Sequence, residues 1–427
     1  MKTEVQHPEE YGAKAVNWYS ALARHQKAAF WSSFAGHAAD AMDTQLYSFA
    51  IPALIALWGL SKGQAGAIGS VSLIMSAVGG WGAGIVADRF GRVRTLQWTI
   101  LLFSLFSLLS GLAQNYGQLV AARGLLGLGF GGETAVSAVL VAEMIPTAFR
   151  GRAVGLVQGG WSIGWGVAAG LATLCQTLLP QALAWRTMFI VGVVPALLIV
   201  VLRRYVVEPE AFFKSRAGVE RESVLHLTMK IFGRQYWRTT ALASLMSAGI
   251  MGGFFAIMIW LPTYLKVVWG LSTINTGAYL AFVIFGSFSG YLIGSFLTDL
   301  IGRKKTLFLF SLGAVVTILV YTQTSPGPGA GYLIWIGFPL GVFTSGIYAG
   351  IGAFLAELFP TSIRANAQGF SFNAGRAIGS IFPALIGYAS EFMPLGTAIC
   401  IFGIGAYALL FIALLLLPET LGKELQA

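Results

Sequence analysis

The chain has 427 residues, of which 27 are Lys or Arg and 17 are Asp or Glu, so 10% are charged against 56% hydrophobic. Soluble domains carry about 25% charged residues, and so few charges cannot cover a soluble surface of this size. An assembly of soluble domains and a disordered chain are excluded, and two cysteines are too few for a disulfide scaffold. The remaining class is an all-α, multi-pass membrane protein.

Residues 1–27 form a polar tail without the apolar core and cleavage site of a signal peptide. A helix needs about 20 mostly apolar residues to cross a bilayer. Such stretches recur at 28–55, 65–87, 95–114, 118–143, 153–178 and 187–206. A polar segment, 207–238, follows, and six more stretches run 239–262, 275–298, 305–323, 331–356, 365–390 and 395–417. The predicted organisation is an N-terminal bundle over 28–206, a central loop over 207–238, a C-terminal bundle over 239–417 and a tail over 418–427. Each bundle holds six spans.

Basic residues orient the spans. With the N-terminus in the cytoplasm, 22 of the 27 Lys and Arg fall in cytoplasmic segments, Arg203 and Arg204 among them. Lys62, Arg186 and Lys266 fall on outer loops, and Arg123 and Arg376 lie inside spans. The expectation is a cytoplasmic (inner) membrane protein with both termini cytoplasmic. The formal charge of +10 then reflects topology beside anionic lipid and implies no nucleic-acid partner.

The two halves resemble each other. Gly84-x-x-x-Asp88-Arg89-x-Gly91-Arg92 follows span 2, and Ser295-x-x-x-Asp299-Leu300-x-Gly302-Arg303 follows span 8. Glu143-Met144-Ile145-Pro146-Thr147-x-x-Arg150 follows span 4, and Glu357-Leu358-Phe359-Pro360-Thr361-x-x-Arg364 follows span 10. The offsets are 211 and 214 residues, and both pairs lie on the same side, so the halves are parallel repeats.

These motifs, over essentially the whole length, resemble those of the major facilitator superfamily. The resemblance implies twelve transmembrane helices in two parallel six-helix repeats, working as a monomer. It also implies gating loops at Gly84, Asp88, Arg89, Gly91, Arg92, Asp299, Gly302 and Arg303, with Glu143, Arg150, Glu357 and Arg364. Arg123-x-x-x-Gly127-x-Gly129-x-Gly131-Gly132-Glu133 resembles the fourth-helix motif of proton symporters for sialate and metabolites. Asp40-Ala41-Met42-Asp43-Thr44 resembles an element of sialate and aromatic-acid symporters. Pro418-Glu419-Thr420 is similar to the ending of sugar porters.

A charge at a helix centre costs about 2.5–3.5 kcal/mol on insertion scales, which marks deep charges as functional candidates. The deep acids are Asp40, Asp43 and Glu133; the deep bases are Arg123 and Arg376. At 100° per residue, His37, Asp40, Asp43, Thr44 and Tyr47 share one face of span 1. Arg123 and Glu133, about 15 Å apart along span 4, are too distant to pair. Arg123 is expected to reach a span-1 Asp, which makes Asp40, Asp43, Glu133 and Arg123 the proton-coupling candidates. Spans 7 to 12 hold no deep acid for Arg376, so its partner is an acid of the other half or a substrate carboxylate matched to the planar guanidinium. Asn373 shares its face, and Tyr47, Gln158 and Trp161 join them as substrate-binding candidates.

Phosphate-cradling loops and His-rich metal spacings are absent, and Cys175 and Cys400 carry no motif. The expected protein is therefore no enzyme and needs no cofactor or metal. It is a proton-coupled importer of a small organic anion such as a monocarboxylate, aromatic acid or sialate-like acid. A sugar or polyol porter is the alternative, and a non-transporting nutrient sensor ranks below it because the tails and central loop are short.

Overall fold

The computed structural model describes residues 19–20, 22–204, 206–209, 229–324, 330–360 and 363–420; within these, the side chains of Arg150 and Asp299 fall outside the described residues. Most of the two tails and of the central loop also lie outside them. Among the described residues every regular element is helical. The N-terminal half comprises α1 (Arg24–Trp58), α2 (Lys62–Phe90), α3 (Arg92–Leu112), α4 (Tyr116–Met144), α5 (Thr147–Leu178) and α6 (Gln181–Arg203). The C-terminal half opens with α7 (Trp237–Met258), which continues through Leu261–Thr263 and a π-helical turn at Tyr264–Val268. It goes on with α8 (Thr273–Ile301), α9 (Arg303–Gln323), α10 (Leu333–Gly346), α11 (Tyr348–Glu357), α12 (Arg364–Gly379), α13 (Phe382–Ala389) and α14 (Leu395–Leu416).

Among the described residues eight helical stretches are long and apolar enough to cross a membrane on composition alone. The tenth crossing is α10 plus α11 and the eleventh α12 plus α13. The eleventh breaks because Pro383 has no N–H to give and its ring crowds the carbonyl one turn back. The Arg376 carbonyl accepts both the Ser380 N–H at 2.9 Å and the Ser380 hydroxyl at 2.5 Å just before the break.

The repeat is visible in backbone conformation. Gly59 and Gly270 have φ of 62° and 61°, and Gly91 and Gly302 have φ of 107° and 105°. Both pairs sit 211 positions apart, and a side chain is strained at such angles. Ser61 and Ser272, at the same offset, cap α2 and α8 by accepting from the N–H groups of Gln64 and Asn275.

In lipid no hydrophobic force drives helices together, so small residues and backbone approach do that work. The glycines of the fourth-helix motif serve this purpose. A Cβ on Gly127 or Gly131 would overlap the carbonyls of Ser72 or Ser76 on α2. In the C-terminal half Gly286, Gly290 and Gly294 of α8 meet the carbonyls of Phe338, Val342 and Gly346 in the same way. Large apolar side chains cover the perimeter, with Phe296 78% and Leu415 72% exposed, as a lipid-facing surface requires.

The starts of α1 and α3 and the segment that ends at Thr420 lie on one face, here the terminal face; the opposite face is the far face. At the far face the halves are sewn together. Lys62 Nζ donates to the Ser390 carbonyl (3.2 Å), Gly63 N–H to Glu391 (3.1 Å) and Ala384 N–H to Ser70 Oγ (3.1 Å). Lys266 Nζ donates to Gln176 Oε1 at 2.6 Å. At mid-depth, Ser162 on α5 and Ser287 on α8 are hydrogen-bonded across the halves at 2.9 Å.

Candidate functional site

Helix α1 is enclosed by α4, α5 and α6, so its polar face meets protein. Asp43 accepts from Arg123 Nη1 at 2.5 Å and from Ser107 Oγ at 2.7 Å, and the pair is sealed, at 0% and 2% side-chain exposure. The expected contact between Arg123 and a span-1 Asp is therefore present, and Asp43 is the partner. The Arg123 guanidinium also lies over the rings of Tyr47 and Phe189, at 5.2 and 5.3 Å.

One turn nearer the terminal face, Asp40 is fully buried and its best contact is a long one, Thr134 Oγ1 at 3.4 Å from Oδ2. Its Oδ1 has no hydrogen-bond partner. Deeper still, Glu133 forms a buried ion pair with Arg203 of α6. Arg203 Nη1 donates in addition to the Leu96 carbonyl at 2.5 Å. Three carboxylates and two guanidiniums thus form a ladder down the N-terminal half, and Asp40 is the rung without a cation.

Arg376 projects from α12 toward this ladder. It is 5% exposed and sits between the rings of Phe130 and Phe372, at 5.3 and 5.1 Å. Among the described residues it forms no ion pair with a carboxylate, and its Nε is buried without a partner. Aromatic rings continue from there: Phe130 to Trp161 (6.3 Å), Trp161 to Phe254 (6.0 Å) and Phe254 to Tyr348 (5.3 Å). His37 faces Trp161 at 5.8 Å, and the Trp161 Nε1–H is buried and unpaired. The result is a guanidinium with aromatic walls and an orphaned indole donor between the halves. Gln158 lies half-buried one turn before Trp161 on α5.

Two predicted binding residues are placed otherwise. Tyr47 is spent on packing: its hydroxyl donates to the Ala65 carbonyl at 2.5 Å and its ring lies under Arg123, away from Arg376. Asn373 donates to the Gly369 carbonyl of its own helix at 3.0 Å and packs its amide oxygen against Gly80 of α2. Arg203, expected among the topology-setting charges, is instead 1% exposed and ion-paired, because α6 extends far enough to carry it under α4.

The gating motifs form braces within each half. Arg92 makes a two-pronged pair with Glu143 (3.1 and 3.1 Å) and reaches Asp88 at 3.0 Å. Arg303 repeats this with Glu357 at 3.0–3.2 Å. Glu208 accepts from the N–H groups of Arg92, Val93 and Arg94, capping α3, and Glu419 caps α9 through Arg303 and Lys304. Thr420 Oγ1 adds a bond to Glu357 at 2.5 Å. Arg89 lies exposed over Phe90, Gly84 has open space around it, and Arg364 bonds the Phe359 carbonyl at 3.2 Å. Glu208 was not singled out from the sequence; its signal is the 211-residue offset from Glu419.

Comparison with known proteins gives a consistent picture. The profile of the Major Facilitator Superfamily matches residues 33–382. A probable 4-methylmuconolactone transporter of Cupriavidus pinatubonensis is 41% identical over 411 residues, 96% of this chain and 94% of that protein. A cis,cis-muconate transport protein of Acinetobacter baylyi is 31% identical over 382 residues, 88% and 91% of the two chains. The inward-open structure of the xylose transporter XylE from E. coli superposes with a TM-score of 0.75 at 19% identity, covering 93% of this chain and 97% of that one. At that identity the likeness concerns the fold alone.

Proposed function

The chain belongs to the Major Facilitator Superfamily, as a multi-pass membrane transporter, and from that premise we propose that it imports a small unsaturated or aromatic carboxylate together with a proton. The observation that carries the reading is Arg376, a buried guanidinium with no ion-paired carboxylate among the described residues, walled by Phe130 and Phe372. A planar carboxylate matches its donors two to two, and a flat conjugated skeleton matches the rings beyond it. Relatives named for muconolactone and muconate, both unsaturated acids, support the same class.

The proton-coupled reading is supported by a count of charges. Asp43 and Glu133 are balanced by Arg123 and Arg203, which leaves Asp40 as the surplus carboxylate. Asp40 and Arg376 act on each other electrostatically across the halves. A substrate anion on Arg376 adds negative charge near Asp40, so it binds better when Asp40 holds a proton. Each ligand then strengthens the other by the same factor. Substrate and proton cross together as the halves rock about the central site. In this reading the terminal face, with its braces and helix caps, looks into the cytoplasm, an orientation that the positive-inside count supports.

The test is uptake and counterflow in proteoliposomes against muconate, benzoate-type acids, sialate and neutral sugars, with and without an inward proton gradient. Accumulation of an unsaturated or aromatic acid that requires the gradient is the expected result. Transport of neutral sugars alone would overturn the substrate class.

A further inference from the structure

The buried pair between Glu133 and Arg203 has no part in holding a substrate at Arg376, yet it adjoins the surplus carboxylate. Arg203 is the last residue of α6, and it is committed on two sides, to Glu133 and to the Leu96 carbonyl. Glu133 is 1% exposed and approached by Thr99 Oγ1 at 3.5 Å. Its carboxylate fills a notch on α1 left by Gly36. A Cβ there would overlap Glu133 Oε1 and stand 2.9 Å from Arg203 Nη2. Gly36 is one helical turn below Asp40, so the pair is docked directly under the rung that lacks a cation. The corresponding helix of the other half, α7, carries no ionisable residue over Trp237–Met258 beyond Arg238 at its start.

We infer that Arg203 is a positioning residue for proton coupling: by pairing with Glu133 in the Gly36 notch, it leaves Asp40 as the one carboxyl of the cluster that takes up and releases the proton. This rests on the proton-coupled reading above. The groups that act on Asp40 enter the balance: Asp43 on α1 (itself paired with Arg123), Glu133 and Thr134 on α4, Arg203 on α6 and Arg376 on α12. With Arg203 present, Glu133 and its partner sum to no net charge beside Asp40. Without it, two neighbouring buried carboxyls are left with no ion-paired cation and only Arg376 across the halves, and the cluster retains protons to higher pH. Release on the terminal side then limits net uptake. Exchange of substrate for substrate needs no release and continues.

The experiment compares wild type, Arg203→Gln, Arg203→Lys, Glu133→Gln and the double variant Glu133→Gln/Arg203→Gln. Each is purified and reconstituted, and the pH profiles of counterflow and of gradient-driven uptake are recorded per transporter. For Arg203→Gln the half-point of the profile moves up by about one pH unit, in the range of a lost neighbouring charge, and gradient-driven uptake falls more than counterflow. Arg203→Lys keeps the wild-type profile. Glu133→Gln, which leaves Arg203 as a lone cation beside Asp40, moves the half-point down. The double variant returns toward wild type. If the single variants that reach the membrane show the wild-type profile, the pair is structural and the inference is overturned. Should Arg203→Gln fail to accumulate, an unshifted Glu133→Gln profile overturns it equally. Wild-type uptake indifferent to the gradient would instead remove the proton-coupled reading, and this inference with it.

Discussion

Asp43 on α1 and Arg123 on α4 form an ion pair of 2.5 Å with both side chains sealed from solvent. A buried pair of this kind is weak evidence for net stability, but losing one partner strands a charge and costs about 3–5 kcal/mol. Asp43→Asn is therefore expected to lower folded yield and abolish transport. Asp43→Asn combined with Arg123→Gln is expected to recover most of the yield without recovering transport. Fluorescence size-exclusion of the detergent-extracted protein measures the first quantity and proteoliposome uptake the second. Equal yields for the single and double variants would mean that the stranded Arg123 finds another partner.

Asp40 differs from Asp43 in having, among the described residues, only the contact with Thr134 at 3.4 Å and no ion pair. Asp40→Asn removes no ion pair, so it is expected to fold normally. It mimics the protonated state, so counterflow persists while a proton gradient no longer drives accumulation. In wild type the sign follows from the same argument. Raising pH on the side of substrate entry strips the proton from Asp40, restores repulsion toward a substrate anion and lowers uptake. Gradient-driven accumulation by Asp40→Asn would move the proton site elsewhere.

The sequence made some of this legible and concealed the rest for identifiable reasons. Asp40, Asp43, Glu133, Arg123 and Arg376 stand out because a charge in an apolar span is expensive. The braces at Arg92 and Arg303 stand out because their motif occurs twice. Which Asp meets Arg123 depends on how α4 is turned against α1, and that phase is set by glycine contacts such as Gly131 on Ser76 rather than by the charges. Arg203 was hidden by position: at the end of a span a buried arginine and a topology signal look alike. Tyr47 shared a helical face with the aspartates, but a shared face does not say which neighbour the side chain meets.

Arg376 gives a sharper test of substrate class. Arg376→Lys keeps the positive charge but loses the planar fork. Loss of a two-pronged contact to a charged group is worth about 1.5–3 kcal/mol, so the apparent affinity for a carboxylate should fall by one to two orders of magnitude. Arg376→Ala should abolish carboxylate uptake at normal yield, since no carboxylate among the described residues is left unpaired by its removal. Radiolabelled uptake over a concentration series separates affinity from maximal rate. A fully active Arg376→Ala would show that the guanidinium serves packing against Phe130 and Phe372.

The caps at the terminal face make a prediction about stability rather than transport. Glu208 accepts from the N–H groups of Arg92 and Val93 at 2.8 and 2.9 Å, and Glu419 does the same for the start of α9. Removing a side-chain cap costs about 0.5–2 kcal/mol. Glu208→Ala and Glu419→Ala should each lower the unfolding temperature by several degrees, by similar amounts, because the two sites are repeats of one another. A scanning thermal assay of the purified protein reads this directly. A large effect at one site and none at the other would mean that the two halves do not share this device.

The far-face seam sets the last prediction. Gly66 of α2 lies where a Cβ would run into the Pro383 carbonyl and stand 3.0 Å from Ala384 Cα, both backbone atoms of α13. Backbone cannot move aside as a flexible side chain can, so a large residue there must part the two halves. Gly66→Trp is expected to fold, because α2 keeps its contacts with α4 inside its own half. It is also expected to hold the far face open and so to lose counterflow and gradient-driven uptake together, since both require the seam to close. Ser70, whose hydroxyl accepts from Ala384 N–H at 3.1 Å across the same seam, is the reporter. A cysteine at position 70 should be protected from a membrane-impermeant thiol reagent added at the far face, and become severalfold more reactive when combined with Gly66→Trp. Unchanged labelling with normal transport would show that α13 yields at its break after Ser380, and that the seam is softer than its backbone contacts imply.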